Sequence, residues 1–225
     1  MVQNAGVPET RLILIRHGES RATVDGVVGG HASCRGLTDR GRRQAGALRE
    51  RLRSTRELEA DVLLTSVLPR AIETAQIVSP AFGDLEPEQD CDLCELHPGE
   101  CDGLGWADYR ERYGFDMRAE PERPMSPGGE SLSSFQARVE ARVARVMRDH
   151  AGKTVVIVSH GGVVSAASLS FMSHGMHVPR PFRLQAENTS ITEWRHGTDA
   201  RNGAAPWLLV RYNDFAHLGA EPDLF

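Results

Sequence analysis

The 225-residue chain has no apolar run approaching membrane-spanning length, so no transmembrane helix is expected. Its first ten residues, Met1–Thr10, are polar and contain Pro8. They lack the charged-then-apolar order of a signal peptide, and a loose leader and a cytoplasmic compartment are expected. There is no block of basic residues, and the net charge is −5, from 26 basic and 31 acidic side chains. Neither nucleic acid nor a membrane is expected as a partner, and an anionic ligand would need a local cluster of cations. The arginines from Arg40 to Arg53 are spread round a helix and interspersed with Asp39 and Glu50, the pattern of a solvated face.

Cysteine is scarce: Cys34, Cys91, Cys94 and Cys101 are the four. Cys91-x-x-Cys94, with Cys101 and His97 nearby, raises the question of zinc. The sequence has no second CxxC and no paired-histidine motif, and no thioredoxin-like context for a redox pair. Four reduced cysteines and no structural metal are expected. Internal repeats and linkers are also missing, so residues 1–225 read as one domain with one core.

What is present starts with Leu12-Ile13-Leu14-Ile15, a short buried-type run ending at Arg16-His17-Gly18. Gly18 is expected to let the chain turn, leaving a guanidinium and an imidazole at a strand end, where open α/β sheets bind ligands. A Gly-rich loop runs to Gly36, and Thr38 caps a helix to about Arg53 whose inner stripe is Ala45, Leu48 and Leu52. Asp61–Ser66 reads as a second strand. Pro69 opens a helix to about Val78 that carries Arg70 in its first turn; pairing with Glu73 is the alternative use of Arg70. Gln89–Leu96 is expected to contain a short strand with Glu95 at its end.

Residues from about 96 to 130, rich in Gly, Pro and charge with one short helix at Trp106–Tyr113, are expected to cap the site. A long helix follows from Ser131 to about His150, faced by Leu132, Phe135, Val139, Val143 and Val146. Thr154–Ser159 is the strongest strand and runs into His160-Gly161-Gly162 and a small-residue helix to about Phe171. Ser190–Arg195 and Trp207–Asn213 are strand candidates joined by a hairpin-type loop, Gly197–Ala205. Alternating strands and helices give a mostly parallel sheet with helices on both faces.

Arg16, His17, Arg70 and His160 thus each fall just past a predicted strand end. Two guanidinium groups and two imidazoles suit a dianionic phosphoryl group, and the flanking arginines disfavour a metal there. His17, its pKa lowered by positive neighbours, is the candidate nucleophile; Arg16, Arg70 and His160 would meet the transition-state charge. Glu95 is the candidate general acid, in competition with Asp90, Asp92, Glu100 and Asp102. Arg21, Arg35, His31, His97 and Trp106 are possible substrate contacts.

These residues resemble the histidine phosphatase superfamily, the phosphoglycerate mutase-like group. The resemblance rests on Leu14–Ser20, on Leu37-Thr38-x-x-Gly41-x-x-Gln44-Ala45, and on Ser66-x-Leu68-x-Arg70-Ala71-x-Glu73-Thr74-Ala75. Leu93-x-Glu95 with Gly99, Pro127–Ser131, Val158–Gly162 and Asn188–Ile191 complete it. It implies a three-layer α/β/α sandwich and no metal or organic cofactor. It also implies a phosphohistidine at His17, a proton donor at Glu95, and phosphate ligands at Arg16, Arg70 and His160. Two departures stand out. Thr23 occupies the place, seven residues after the motif arginine, where the family often has Asn, so a phosphate contact there is shorter. The segment Leu96–Leu104 lacks the Tyr-Gly-x-Leu-x-Gly-Leu-Asn pattern of cofactor-dependent mutases and resembles the phosphatase branch. The expectation is a phosphatase acting on a small phosphomonoester, with a phosphoglycerate mutase and a non-catalytic phospho-ligand-binding protein as alternatives. The oligomeric state is open, a homodimer included.

Overall fold

The computed structural model describes residues 9–197 and 206–219. Most of the expected leader, and residues 198–205 of the expected hairpin loop, lie outside that range. A six-stranded sheet has the order β3-β2-β4-β1-β5-β6. Its strands are β1 (Thr10–Arg16), β2 (Val62–Thr65), β3 (Glu88–Gln89), β4 (Thr154–Ser159), β5 (Ile191–His196) and β6 (Trp207–Asp214). β1 pairs with β4, β4 with β2, and β2 with β3 in parallel. β5 and β6 add an antiparallel edge.

Period-two alternation sends the strand residues to two separate cores. Leu12, Leu14, Leu64, Val155 and Ile157 pack on one face with Phe135, Val139, Val143 and Val146. The latter belong to α5 (Leu132–Asp149), which packs beside α6 (Gly161–Phe171). Ile13, Ile15, Leu63, Val156 and Val158 pack on the opposite face with Leu48, Leu52, Ala75 and Val78. Those come from α2 (Asp39–Thr55) and α3 (Pro69–Val78). The three layers follow from continuous apolar runs that need cover on both sides. Among the described residues no helix is long and apolar enough to cross a membrane.

Helix ends follow their caps. Thr38 Oγ1 accepts from Gly41 N at 3.0 Å, and Ser131 and Ser134 cap α5 reciprocally. Three local expectations need correction. The Gly-rich loop contains a short helix, α1 (Arg21–Val24), because the Ser20 side chain accepts from Thr23 N. The expected strand over 89–96 is only Glu88–Gln89, since the Asp90 carboxylate accepts from Asp92 N at 2.8 Å and folds Cys91–Leu93 into a 3-10 turn. Glu95 therefore stands on irregular chain beyond that turn. Gly18 is needed for close approach, not for turning: its φ is not positive, but a Cβ there would lie 2.5 Å from Gly41 O.

Beyond Glu95, the segment 96–130 leaves the sheet. Cys101, Tyr109 and Met125 form a small apolar cluster with Val28, and the segment's one α-helix is α4 (Trp106–Arg112).

Candidate active site

Strand register brings the two histidines together. Arg16 lies opposite Ser159 in the β1–β4 pair, so His17 and His160, the next residue on each strand, emerge side by side. Their ring centroids are 5.1 Å apart. His17 N–H donates to Ser159 O at 2.8 Å, and His17 O accepts from Asn188 Nδ2 at 2.8 Å. The loop after β1 is thereby held from both sides.

Arg70, buried in the first turn of α3, donates from Nε to His17 Nε2 at 3.1 Å and from Nη1 to Gly29 O at 3.1 Å. Because Nε2 accepts, the His17 proton sits on Nδ1, which lies 2.6 Å from Gly18 O. Burial, then Arg70 and Arg16, hold the His17 pKa well below its ordinary value. His17 is thus a neutral imidazole whose Nε2 lone pair faces a guanidinium. Glu73, the alternative partner for Arg70, pairs with Arg42 at 2.9 Å.

His160, fully buried, has its pKa lowered well below the ordinary value by burial, then by Arg70, His17 and Arg16. Its Nε2 is 2.8 Å from Ser66 Oγ, and its Nδ1 is buried without a protein hydrogen-bond partner. Arg16 is anchored through Nη1 to Ala186 O at 2.7 Å. The Glu95 carboxylate accepts from Gly162 N at the start of α6 at 2.9 Å and from Leu96 N at 3.1 Å. Gly162 permits this approach, since a Cβ there would collide with Glu95 Oε1.

A cavity of about 340 Å³ is lined by Arg16, His17, Thr23, Gly29, Arg70, Glu95 and Trp106, among others. A second cavity of about 460 Å³ shares Arg16 and Gly161 with it and is also lined by Arg118, Arg180 and Arg183. Arg21, His31 and His97 are not among the residues lining the first cavity. Arg21 is exposed on α1, and the two histidines face each other and Cys91 instead. Three supporting residues belong to the sequence motifs, but the motifs alone assign them no role. Ser66 contacts His160, Asn188 holds His17 O, and Thr74 Oγ1 accepts from Gly18 N at 3.1 Å. Only proximity in space shows what these do.

The chain is similar over most of its length to known proteins. The family model for the histidine phosphatase superfamily (branch 1) matches residues 12–207. Phosphoglycerate mutase-like protein 4 of Arabidopsis thaliana is 33% identical over 219 residues, covering 94% of this chain and 88% of that protein. The metal-independent phosphoserine phosphatase of the same plant is 30% identical over 215 residues, covering 94% and 84%. Among solved structures, a phosphoserine phosphatase mutant from Entamoeba histolytica in complex with phosphoserine aligns with a TM-score of 0.72 at 25% identity, over 93% of this chain and 99% of that one.

Proposed function

The chain belongs to the histidine phosphatase superfamily, and we propose that it is a phosphomonoester phosphatase that works through a phosphohistidine at His17. The observation that carries this reading is the His17 tautomer: Nε2 is unprotonated and accepts from Arg70, while Nδ1–H is turned to Gly18 O. An incoming phosphoryl group would replace His17 as the partner of Arg70 Nε. The Nε2–P bond then forms as the P–O ester bond breaks. Arg16, Arg70 and His160 meet the charge on the equatorial oxygens. Glu95 gives its proton to the leaving oxygen. It later takes one from the water that cleaves the N–P bond and frees inorganic phosphate. The cations at the reacting centre are guanidinium groups, so the scheme needs no metal there.

The adjoining cavity, with Arg118, Arg180 and Arg183, supports a substrate that carries a second acidic group beyond its phosphoryl. The segment 96–130, with Trp106 in the wall and Arg118 at the second cavity, acts as the lid. Its lack of the mutase sequence pattern supports hydrolysis over retention and transfer of the phosphoryl. A panel of phosphorylated metabolites bearing carboxylates or second phosphates, assayed for phosphate release, tests the reading. Release from at least one, with an acid-labile phosphoprotein in rapid quench, is the expected result. Formation of 2-phosphoglycerate from 3-phosphoglycerate without phosphate release would replace it with the mutase reading. Binding of vanadate without any turnover would replace it with a non-catalytic one.

A further inference from the structure

Outside the phosphoryl pocket, His31, Cys91, Cys94 and His97 bring one ligand atom each to within 4.8 Å of one another. Cys91 Sγ is 3.8 Å from Cys94 Sγ, 3.8 Å from His97 Nε2 and 3.9 Å from His31 Nε2. Zinc bonds of about 2.3 Å to sulfur and about 2.0 Å to nitrogen, set tetrahedrally, require edges of roughly 3.8 Å between sulfurs and roughly 3.6 Å between sulfur and nitrogen. The three edges from Cys91 Sγ already stand at nearly those separations, and the remaining ligand atoms lie within 4.8 Å of one another. We propose that these four residues form a Cys2His2 structural zinc site.

The surroundings are those of a built site. Nε2 of His97 faces Cys91, while its Nδ1 lies 3.7 Å from Glu130 Oε2, a small approach away from the carboxylate–histidine hydrogen bond that orients a metal-bound imidazole. Glu130 also accepts from His97 N at 2.9 Å and is fixed by Arg138. Arg138 holds the Cys91–Cys94 turn by donating to Asp92 O at 2.8 Å and Cys94 O at 3.1 Å. On the other side, Asp102 fixes the backbone around His31, accepting from Gly30 N at 2.9 Å and Ala32 N at 2.8 Å. Two thiols give up two protons on binding, so the divalent ion and two thiolates form a neutral centre. The arginines that repel a cation from the phosphoryl pocket are therefore no obstacle here.

The site would join two walls of the candidate active site. His31 sits on the loop whose Gly29 carbonyl holds Arg70, and Cys94 directly precedes Glu95. Cys94 Sγ also accepts from Ser66 Oγ at 3.2 Å, the hydroxyl that contacts His160. Zinc would act as a clip on the pocket and not as a reactant. The ligands of such a site do not all come from one stretch of chain. Instead Cys101 turns away to Pro98 O at 3.1 Å, and the fourth ligand comes from 60 residues upstream of Cys91.

The test uses the full chain purified without chelators from zinc-supplemented cells, with metal read by elemental mass spectrometry. About one zinc per chain is expected, falling to near zero in Cys91→Ala and His31→Ala, both at exposed positions, and unchanged in Cys34→Ser. Cobalt added to the apo-protein should give a sulfur-to-cobalt charge-transfer band and an intense tetrahedral ligand-field band, both lost in the two variants. Saturating zinc should raise the melting temperature of the wild type by about 5–10 °C and leave Cys91→Ala unmoved. A wild type that takes up no metal after reduction overturns the proposal. So does zinc retained equally by the two variants, or a cobalt spectrum without sulfur ligation. None of these readings depends on catalysis.

Discussion

At the scale of single residues, the proposed chemistry rests on two buried imidazoles kept neutral by burial and by neighbouring arginines. His17→Ala should abolish both turnover and the acid-labile phosphoprotein, as read by rapid quench with a labelled substrate. Because the His17 pKa is lowered, its base form persists below the ordinary imidazole range near 6.5. The acidic limb of kcat/KM, corrected for substrate ionisation, should therefore lie below pH 6.5. A limb at or above that value would show that His17 is not held neutral by its setting. Glu95→Gln should slow alkyl phosphates strongly, by roughly 100-fold or more, and p-nitrophenyl phosphate much less, because its leaving group needs no proton. Equal losses for the two substrates would remove Glu95 from the acid role. Arg16, His17, Arg70 and His160 were legible at this scale as residues placed just after strand runs. Ser66 and Asn188 were not, since a lone Ser or Asn shows its partner only in three dimensions.

At the scale of elements, each strand end presents its residue through a neighbour. β1 and β4 set the two histidines side by side through their register. The N-terminus of α6 holds Glu95 through Gly162 N, and α3 starts where Pro69 allows it, with Arg70 in the first turn. Helix and strand positions were readable because caps, apolar period and Pro placement agreed. Gln89–Leu96 reads as containing a short strand that ends at Glu95, but an Asp90 cap competes locally with strand pairing and leaves Glu95 beyond the strand. In the proposed reading, segment 96–130 and the chain after α6 supply Arg118, Arg180 and Arg183 to the second cavity and set specificity there. Arg183→Ala, or Arg118→Ala, should raise KM for a phosphomonoester bearing a second acidic group several-fold. KM for p-nitrophenyl phosphate should change little, because that substrate has nothing to place in the second cavity. Matched changes in steady-state KM for both substrates would count against a second anion subsite.

At the scale of the whole molecule, neutral histidines make stability depend on pH. His17 and His160 are lowered well below their ordinary value, and His217 is lowered to about 4, chiefly by burial. The unfolded chain takes up protons at these groups near pH 6.5, and the folded one does so only at lower pH. Stability should thus be full above about 6.5 and fall as the medium is acidified, by up to about 1.4 kcal/mol per pH unit for each histidine. Urea denaturation at neutral and mildly acidic pH measures this; an unchanged midpoint would contradict the buried neutral state. The sequence by itself determined the layered α/β fold, because its apolar runs need cover on both sides, and it determined which strand ends carry cationic side chains. Tertiary structure alone decided the rest, because strand register and long-range packing set which distant side chains meet. They put His17 Nε2 against Arg70, hung Glu95 from α6, and brought His31 to Cys91 from 60 residues upstream.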